Sequence, residues 1–179
     1  MKKPVIVYVS GAPGSGKTTL AKILSEQLYI PSISSDLIHG GVALQDPGHS
    51  RKNTLKNVFV QTLIDMADKG VSVVVDHVLQ KDLSEQDIIE KIRPHATLIY
   101  IHTQTTDPIE RYIQRLREST LPSIIERRDH LLDLALLHMR NLEKTNIPLE
   151  LNVPTLVVNT DHDYEPTLDK IVAFVQEHK

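Results

Sequence analysis

Val5-Ile6-Val7-Tyr8-Val9-Ser10-Gly11-Ala12-Pro13-Gly14-Ser15-Gly16-Lys17-Thr18-Thr19 is the stretch that decides how this chain is read. An apolar, β-branched run ends in G-x-x-x-x-G-K-T and passes into a helical pattern over 18–27. Strand, glycine-rich turn and helix in that order wrap successive backbone N–H groups around anionic oxygens, and the helix adds the positive end of its dipole. Gly11, Ala12, Pro13, Gly14, Ser15, Gly16, Lys17, Thr18 and Thr19 are therefore expected to cradle the phosphates of a nucleoside triphosphate. Lys17 is expected to reach the β- and γ-phosphates, and the Thr18 hydroxyl to ligate Mg²⁺.

Working outward, apolar runs alternate with helical patterns along the whole chain. Strands are predicted at 5–10, 32–35, 71–76, 97–102 and 155–159, and helices over 18–27, 54–67, 84–92, 108–117, 124–143 and 165–176. The second of these helices places Leu55, Val58, Phe59, Leu63 and Met66 on one face. Asp107 followed by Pro108 reads as an N-cap with proline at the first helical position. The strands are short apolar runs, as expected when both faces of a sheet are covered. Five of them alternating with helices imply an α/β fold: a three-layer α/β/α domain around a five-stranded parallel sheet, spanning 1–179 as one unit. The stretches 37–53 and 118–123 lack periodicity and leave the sheet on its ligand side. An acceptor-side loop is expected over about 37–53, with Gly40, Gly41, Asp46 and His49, and a lid over about 111–128.

Composition excludes other classes. The 179 residues carry 20 Lys and Arg against 23 Asp and Glu, a net charge of -3 that offers no general attraction to nucleic acid or to an anionic membrane. Cysteine is absent, so there is no disulfide framework and no thiolate zinc site. The nine histidines are scattered without an H-x-x-x-H pair. No apolar stretch approaches the roughly twenty residues that span a bilayer. Met1-Lys2-Lys3-Pro4 runs directly into strand-like sequence without the core of a secretory signal, so a cytoplasmic location is expected.

The remaining landmarks address what is done with the triphosphate. The third strand ends Val75-Asp76-His77-Val78 rather than D-x-x-G, and Asn159-Thr160-Asp161-His162 lacks the lysine of the guanine-binding N-K-x-D. A large motor or AAA-type ATPase needs a longer chain. A small kinase remains, and three features favour it. Asp36, closing the second strand, faces the phosphate loop across the crevice and is placed to take a proton from an attacking hydroxyl, or to cap the next turn. Asp76 is placed to hold Mg²⁺, directly or through water, to contact substrate, or merely to cap its strand; His77 beside it reads as structural or as part of the acceptor site. Arg111 and Arg115 share a helix face, with Arg117 beyond them and Arg127 and Arg128 after a break. They read either as a lid that neutralises the transferring phosphoryl group or as a solvated basic face. In the lid reading Arg111 stacks on adenine, while Arg115 and Arg117 turn to the phosphates. Thr160, Asp161 and His162 follow the last strand as candidates for holding the adenine.

Gly11 to Thr19, Ser35-Asp36, Val75-Asp76 and Arg111-x-x-x-Arg115 together resemble the small P-loop kinase group, within the wider AAA-type ATP-binding families. That group includes polynucleotide 5′-kinases, zeta-toxin-type sugar-nucleotide kinases, chloramphenicol phosphotransferase, and gluconate and shikimate kinases. The resemblance implies a nucleoside-monophosphate-kinase-like fold, ATP and Mg²⁺ as cofactors, Lys17 and Thr18 as phosphate and Mg²⁺ groups, and Asp36 as base. It also implies that Arg115 and Arg117 act with Lys17 in transfer and that Arg111 and Thr160 contact the nucleotide. Asp36 is followed by Leu37, where polynucleotide kinases often carry a second acid, and the charge lacks a basic excess. Thr18 stands where adenylate kinases of the long type carry glycine, and Arg51 is the only arginine between Thr18 and Ile92. These departures argue for a small hydroxyl acceptor over nucleic acid or a phosphate acceptor. The alternatives are a nucleotide or nucleoside kinase, or an ATP-binding switch protein.

Overall fold

Why the central strands read as apolar runs becomes clear in the computed structural model, which describes residues 3–45, 52–81, 84, 88–140 and 142–179. The sheet has five parallel strands in the order β2-β3-β1-β4-β5: β1 (Val5–Gly11), β2 (Ser32–Ser34), β3 (Val73–Asp76), β4 (Thr97–Gln104) and β5 (Thr155–Asn159). With a side-chain period of two, Val5, Val7 and Val9 face one layer while Ile6 and Tyr8 face the other. The first layer is α1 (Lys17–Leu28) with α9 (Leu168–His178), whose Leu20, Leu24, Ile171 and Val175 close over the sheet. The second is built on α3 (Lys52–Asp68), with Phe59, Leu63 and Ala67 buried against Ile6, Val73 and Tyr100. Burying each such leucine or phenylalanine contributes roughly 1.5–3 kcal/mol. Helix on sheet on helix is the expected three-layer architecture.

Several boundaries differ from the sequence reading, each for a physical reason. The aperiodic stretch from residue 37 is not a loop at its start: α2 (Ser35–Gln45) forms directly after β2, which places Asp36 in a first helical turn. It carries no clear 3.6-residue stripe because its first turns divide between the core, where Ile38 packs, and the site, which Asp36, His39 and Gly40 line, while Leu37 is exposed. The expected helix over 124–143 is interrupted by a turn at 126–127, between α6 (Pro122–Ile125) and α7 (Arg128–Arg140), and α8 (Leu142–Thr145) overlaps its expected C-terminal end. Of the expected helix over 84–92, residues 84 and 88–92 are described and helical, with α4 (Glu90–Ile92) at the end. Val58, expected on the core face of α3, is exposed, because it sits at the edge of the stripe that Phe59 and Leu63 centre.

Residues α5 (Pro108–Glu118) and α7 form a separate small cluster, Tyr112, Leu116 and Ala135 packed with Ile124 and Leu131, above the C-terminal edge of the sheet. Every β-to-α connection of interest leaves from that edge. Val9 and Ser34 both align with Asp76, and Gly11 aligns with Thr103, so four strands end together there. Among the described residues no helix is long and apolar enough to cross a membrane.

Candidate active site

Backbone conformation builds the phosphate loop. Gly14 sits at φ 88, and a Cβ there would lie 1.8 Å from the Pro108 carbonyl oxygen. The loop thus packs directly on the first turn of α5, a closeness that only glycine permits. Gly16, at φ 85, is the N-cap of α1 and supplies no capping side chain, and the first turn carries no acid. The leading N–H groups of α1 are therefore left for an anion, the usual property of such a helix start.

Side chains from two neighbouring strands hold the loop from beneath. Thr103 Oγ1 donates to the Ser10 carbonyl (3.1 Å), so it accepts from Ser15 Oγ at 2.7 Å. Ser15 is thus occupied within the protein. Thr160 Oγ1 donates to the Ser15 carbonyl (2.9 Å) and lies 3.2 Å from Arg111 Nη1, which also donates to the Thr160 carbonyl and to Thr105 Oγ1. One buried hydroxyl therefore links the phosphate loop, the β5 exit and α5. Asp161 completes the brace, accepting from Thr105 Oγ1, the Thr106 N–H and hydroxyl, and Asn159 Nδ2 at 2.6–3.0 Å. Those bonds, that of Thr105 first, hold its carboxyl well below the usual range. Asp161 is a loop brace, and His162 beside it is exposed.

Lys17 and Asp76 are both buried at the strand edge. Burial pushes the Lys17 ammonium down, opposed by Asp76 and Asp36 and aided by Arg115. Burial likewise raises Asp76, opposed first by Lys17 and then by hydrogen bonding from Thr18, with Asp36 adding to the rise. Asp76 Oδ1 is buried without a hydrogen-bond partner. An orphaned carboxylate oxygen beside the Thr18 hydroxyl is a pair of hard donors that fits Mg²⁺, which takes oxygen ligands and keeps several waters. Among the described residues no cluster of three His, Cys, Asp or Glu side chains is arranged to hold a metal.

Two cavities meet at Lys17 and Arg115. One, of ≈150 Å³, is lined by Gly14, Gly16, Lys17, Thr18, Thr19, Arg111 and Arg115. It continues along α5 into an open groove of ≈420 Å³ formed by Arg111, Gln114, Arg115, Glu118 and Ser119. The other, of ≈260 Å³, has a polar side of Lys17, Asp36, His39, Arg115 and Arg127. Its apolar side is Val78, Tyr112, Leu116, Ile124, Leu131 and Leu134. Ala12 and Pro13 are buried at the loop, Pro13 touching this second cavity.

The structure thus brings together Lys17, Thr18, Asp36, Asp76, Arg111, Arg115 and Thr160. It does not bring in Arg117, which lines neither cavity, since two residues on from Arg115 is about 200° around the helix. Arg128 turns away as well, donating to the Leu116 and Ser119 carbonyls at the end of α5. Arg111 is tied by the hydrogen bonds of its Nη1 to Thr105 and Thr160. His77 packs between Tyr8 and Phe59 and bonds Ser35 Oγ at 2.7 Å, and burial pushes it down to about 4. That is a structural histidine supporting the start of α2. Asp46, His49 and Arg51 lie outside the described residues. Sequence reasoning missed His39 and the pocket position of Arg127. His39 is three residues after Asp36, a spacing that shares a face only once 35–45 is known to be helix.

Comparison with known proteins agrees with this fold. The AAA domain family matches residues 7–130. An adenylate kinase of Nocardia farcinica is 27% identical over 173 residues, covering 87% of this chain and 89% of its own length. A solved structure from Chloroflexus aurantiacus, itself only provisionally assigned as a kinase, superposes with a TM-score of 0.74 at 23% identity, over 99% of this chain and 97% of its own. A gluconokinase from Sinorhizobium meliloti superposes at 0.62 with 17% identity, over 99% and 94%.

Proposed function

The chain belongs to the AAA domain family and has the fold of the small P-loop kinases, and from that premise we propose that it is a phosphotransferase moving the γ-phosphoryl group of ATP to a hydroxyl of a small molecule. The observation that carries this reading is that Lys17 and Arg115 line both the phosphate-loop cavity and the cavity that holds Asp36. A triphosphate in the first and an alcohol in the second would meet between those two cations.

The loop N–H groups and Lys17 hold the phosphates, and the groove along α5 takes the nucleoside. Asp36 accepts the proton of the acceptor hydroxyl as its oxygen bonds to the γ-phosphorus. The bond from that phosphorus to the β,γ-bridging oxygen breaks, and ADP leaves with the electron pair. Arg115 and Lys17 counter the charge on the transferring oxygens, in a position fixed before the reaction begins. Thr18 and Asp76 would hold Mg²⁺, which would supply neutralisation of the phosphate charge during transfer. Arg111 is read as a positioning group for the loop.

The adenylate kinase relative favours a second reading, with a nucleoside monophosphate as acceptor. ADP release measured over small alcohols, sugars, nucleosides and nucleoside monophosphates separates the two. Stimulation by a hydroxyl compound and not by monophosphates is expected; stimulation by monophosphates alone would reverse the choice. Tight ATP binding with no acceptor-stimulated release across the panel would instead favour a nucleotide-binding switch.

A further inference from the structure

We propose that the acceptor carries an anionic group on a compact apolar body, and that Arg127, with His39, selects it; this rests on the phosphotransferase reading above. The charged groups facing the acceptor cavity are Lys17 from α1, Asp36 from α2, Arg115 from α5 and Arg127 from the turn before α7. Lys17 and Arg115 are shared with the phosphate cavity and are matched by the triphosphate. Arg127 lines the acceptor cavity alone, and its side chain makes no hydrogen bond or ion pair with a described residue. Its charge is nonetheless felt inside: burial pushes His39 down and Tyr112 up, and Arg127 adds to the first shift and opposes the second. A guanidinium that lines a cavity whose single carboxylate is the base Asp36 is a site for a planar or tetrahedral anion held by paired N–H donors.

His39 supplies the second polar contact. It lies one helical turn from Asp36, burial favours its neutral ring against the pull of Asp36, and its Nε2 is buried without a partner. A neutral imidazole nitrogen so placed makes one directed hydrogen bond to whatever fills the cavity. The opposite wall, Val78, Leu116, Ile124, Leu131 and Leu134 with the ring of Tyr112, carries one polar side-chain atom, the Tyr112 hydroxyl. A polyol there would lose most of its hydration without replacement, whereas an alkyl or aryl body gains by burial. At ≈260 Å³ the cavity falls below the roughly 300–1,000 Å³ of drug-sized sites, so the body is compact. A nucleoside monophosphate also carries an anion, but its attacking oxygen is already ionised and gives Asp36 no proton to take.

Calorimetric titration with a non-hydrolysable ATP analogue and Mg²⁺ present tests this. The probes are mandelate and 3-phenyllactate, each beside its neutral amide, with gluconate and AMP for comparison. The wild type is expected to bind each acid roughly ten- to a hundredfold more tightly than its amide, the range of charge-assisted hydrogen bonds. Arg127→Ala is expected to lose that preference and Arg127→Lys to recover part of it, while amide binding changes little. Equal binding of acid and amide, no binding of either acid at millimolar concentration, tighter binding of gluconate or AMP, or a preference that survives Arg127→Ala overturns the proposal. The readout is independent of turnover. In a separate assay with ATP itself, an acid that binds with Arg127-dependent preference and releases no ADP sustains the anion-binding site and overturns the phosphotransferase reading.

Discussion

Asp36 is the residue on which the proposed chemistry turns, and its position has two parts. It was legible in the sequence as the acid closing the second strand; that it stands in the first turn of α2, opening onto the same cavity as Lys17 and Arg115, came from the fold. Replacing a general base by its amide keeps the shape and removes the proton acceptor. Asp36→Asn is therefore expected to lower acceptor-stimulated turnover by roughly 10²–10⁴-fold while ATP affinity changes little. Initial rates and an ATP titration on the same preparation check this, and full activity in the variant would remove Asp36 from the mechanism. At this scale the sequence spoke clearly for Lys17 and Thr18, whose roles follow from local spacing. It did not separate Arg115 from Arg117, because helix phase matters only once the neighbours of the helix are known.

Among the elements, the phosphate loop and α5 behave as one piece. Gly14 lies against the first turn of α5, and the loop carbonyl of Ser15 is bonded by Thr160, which also meets Arg111 of α5. Gly14→Ala must therefore both adopt a left-handed conformation and push α5 away. Gly70 supplies the control, since it has φ 76 and nothing within 4 Å of an added Cβ. Gly70→Ala is expected to cost about 1–2 kcal/mol from backbone conformation alone. Gly14→Ala is expected to lower Tm further than that and to weaken ATP binding at least about tenfold, an effect Gly70→Ala should not share. Thermal melts with and without ATP distinguish the two; equal melting shifts would mean the contact with α5 is unimportant. The β1–loop–α1 unit was readable because its signals are local. The helical nature of 35–45 was not, since α2 carries no apolar stripe, and neither was the division of the expected helix over 124–143.

For the molecule as a whole, two buried histidines tie stability to pH. Burial pushes both His77 and His102 down to about 4, His77 partly offset by Asp36 and His102 by the backbone of Asn146. The unfolded chain binds these protons near pH 6.5, so between about 6.5 and 4 it holds more protons than the folded protein, and stability falls as pH falls through that window. Each contributes on the order of 3 kcal/mol at most, and together they weigh heavily against a total of roughly 5–15 kcal/mol. The urea midpoint is expected to be flat from pH 8 to 7 and to drop steeply toward pH 4, with a shallower drop in His102→Gln; a midpoint unchanged at pH 4.5 would mean that these rings are not held neutral. By itself the sequence determined the phosphate loop, the alternation of strands and helices, and hence a parallel sheet with both faces covered, because those depend on patterns within ten or so neighbouring residues. Only the tertiary structure decided that Arg127 and His39 share a cavity with Asp36, that Arg117 does not, and that Thr160 and Asp161 brace the loop. Those relations join residues up to 145 positions apart, and no local pattern records a distance that only the crossing of the chain creates.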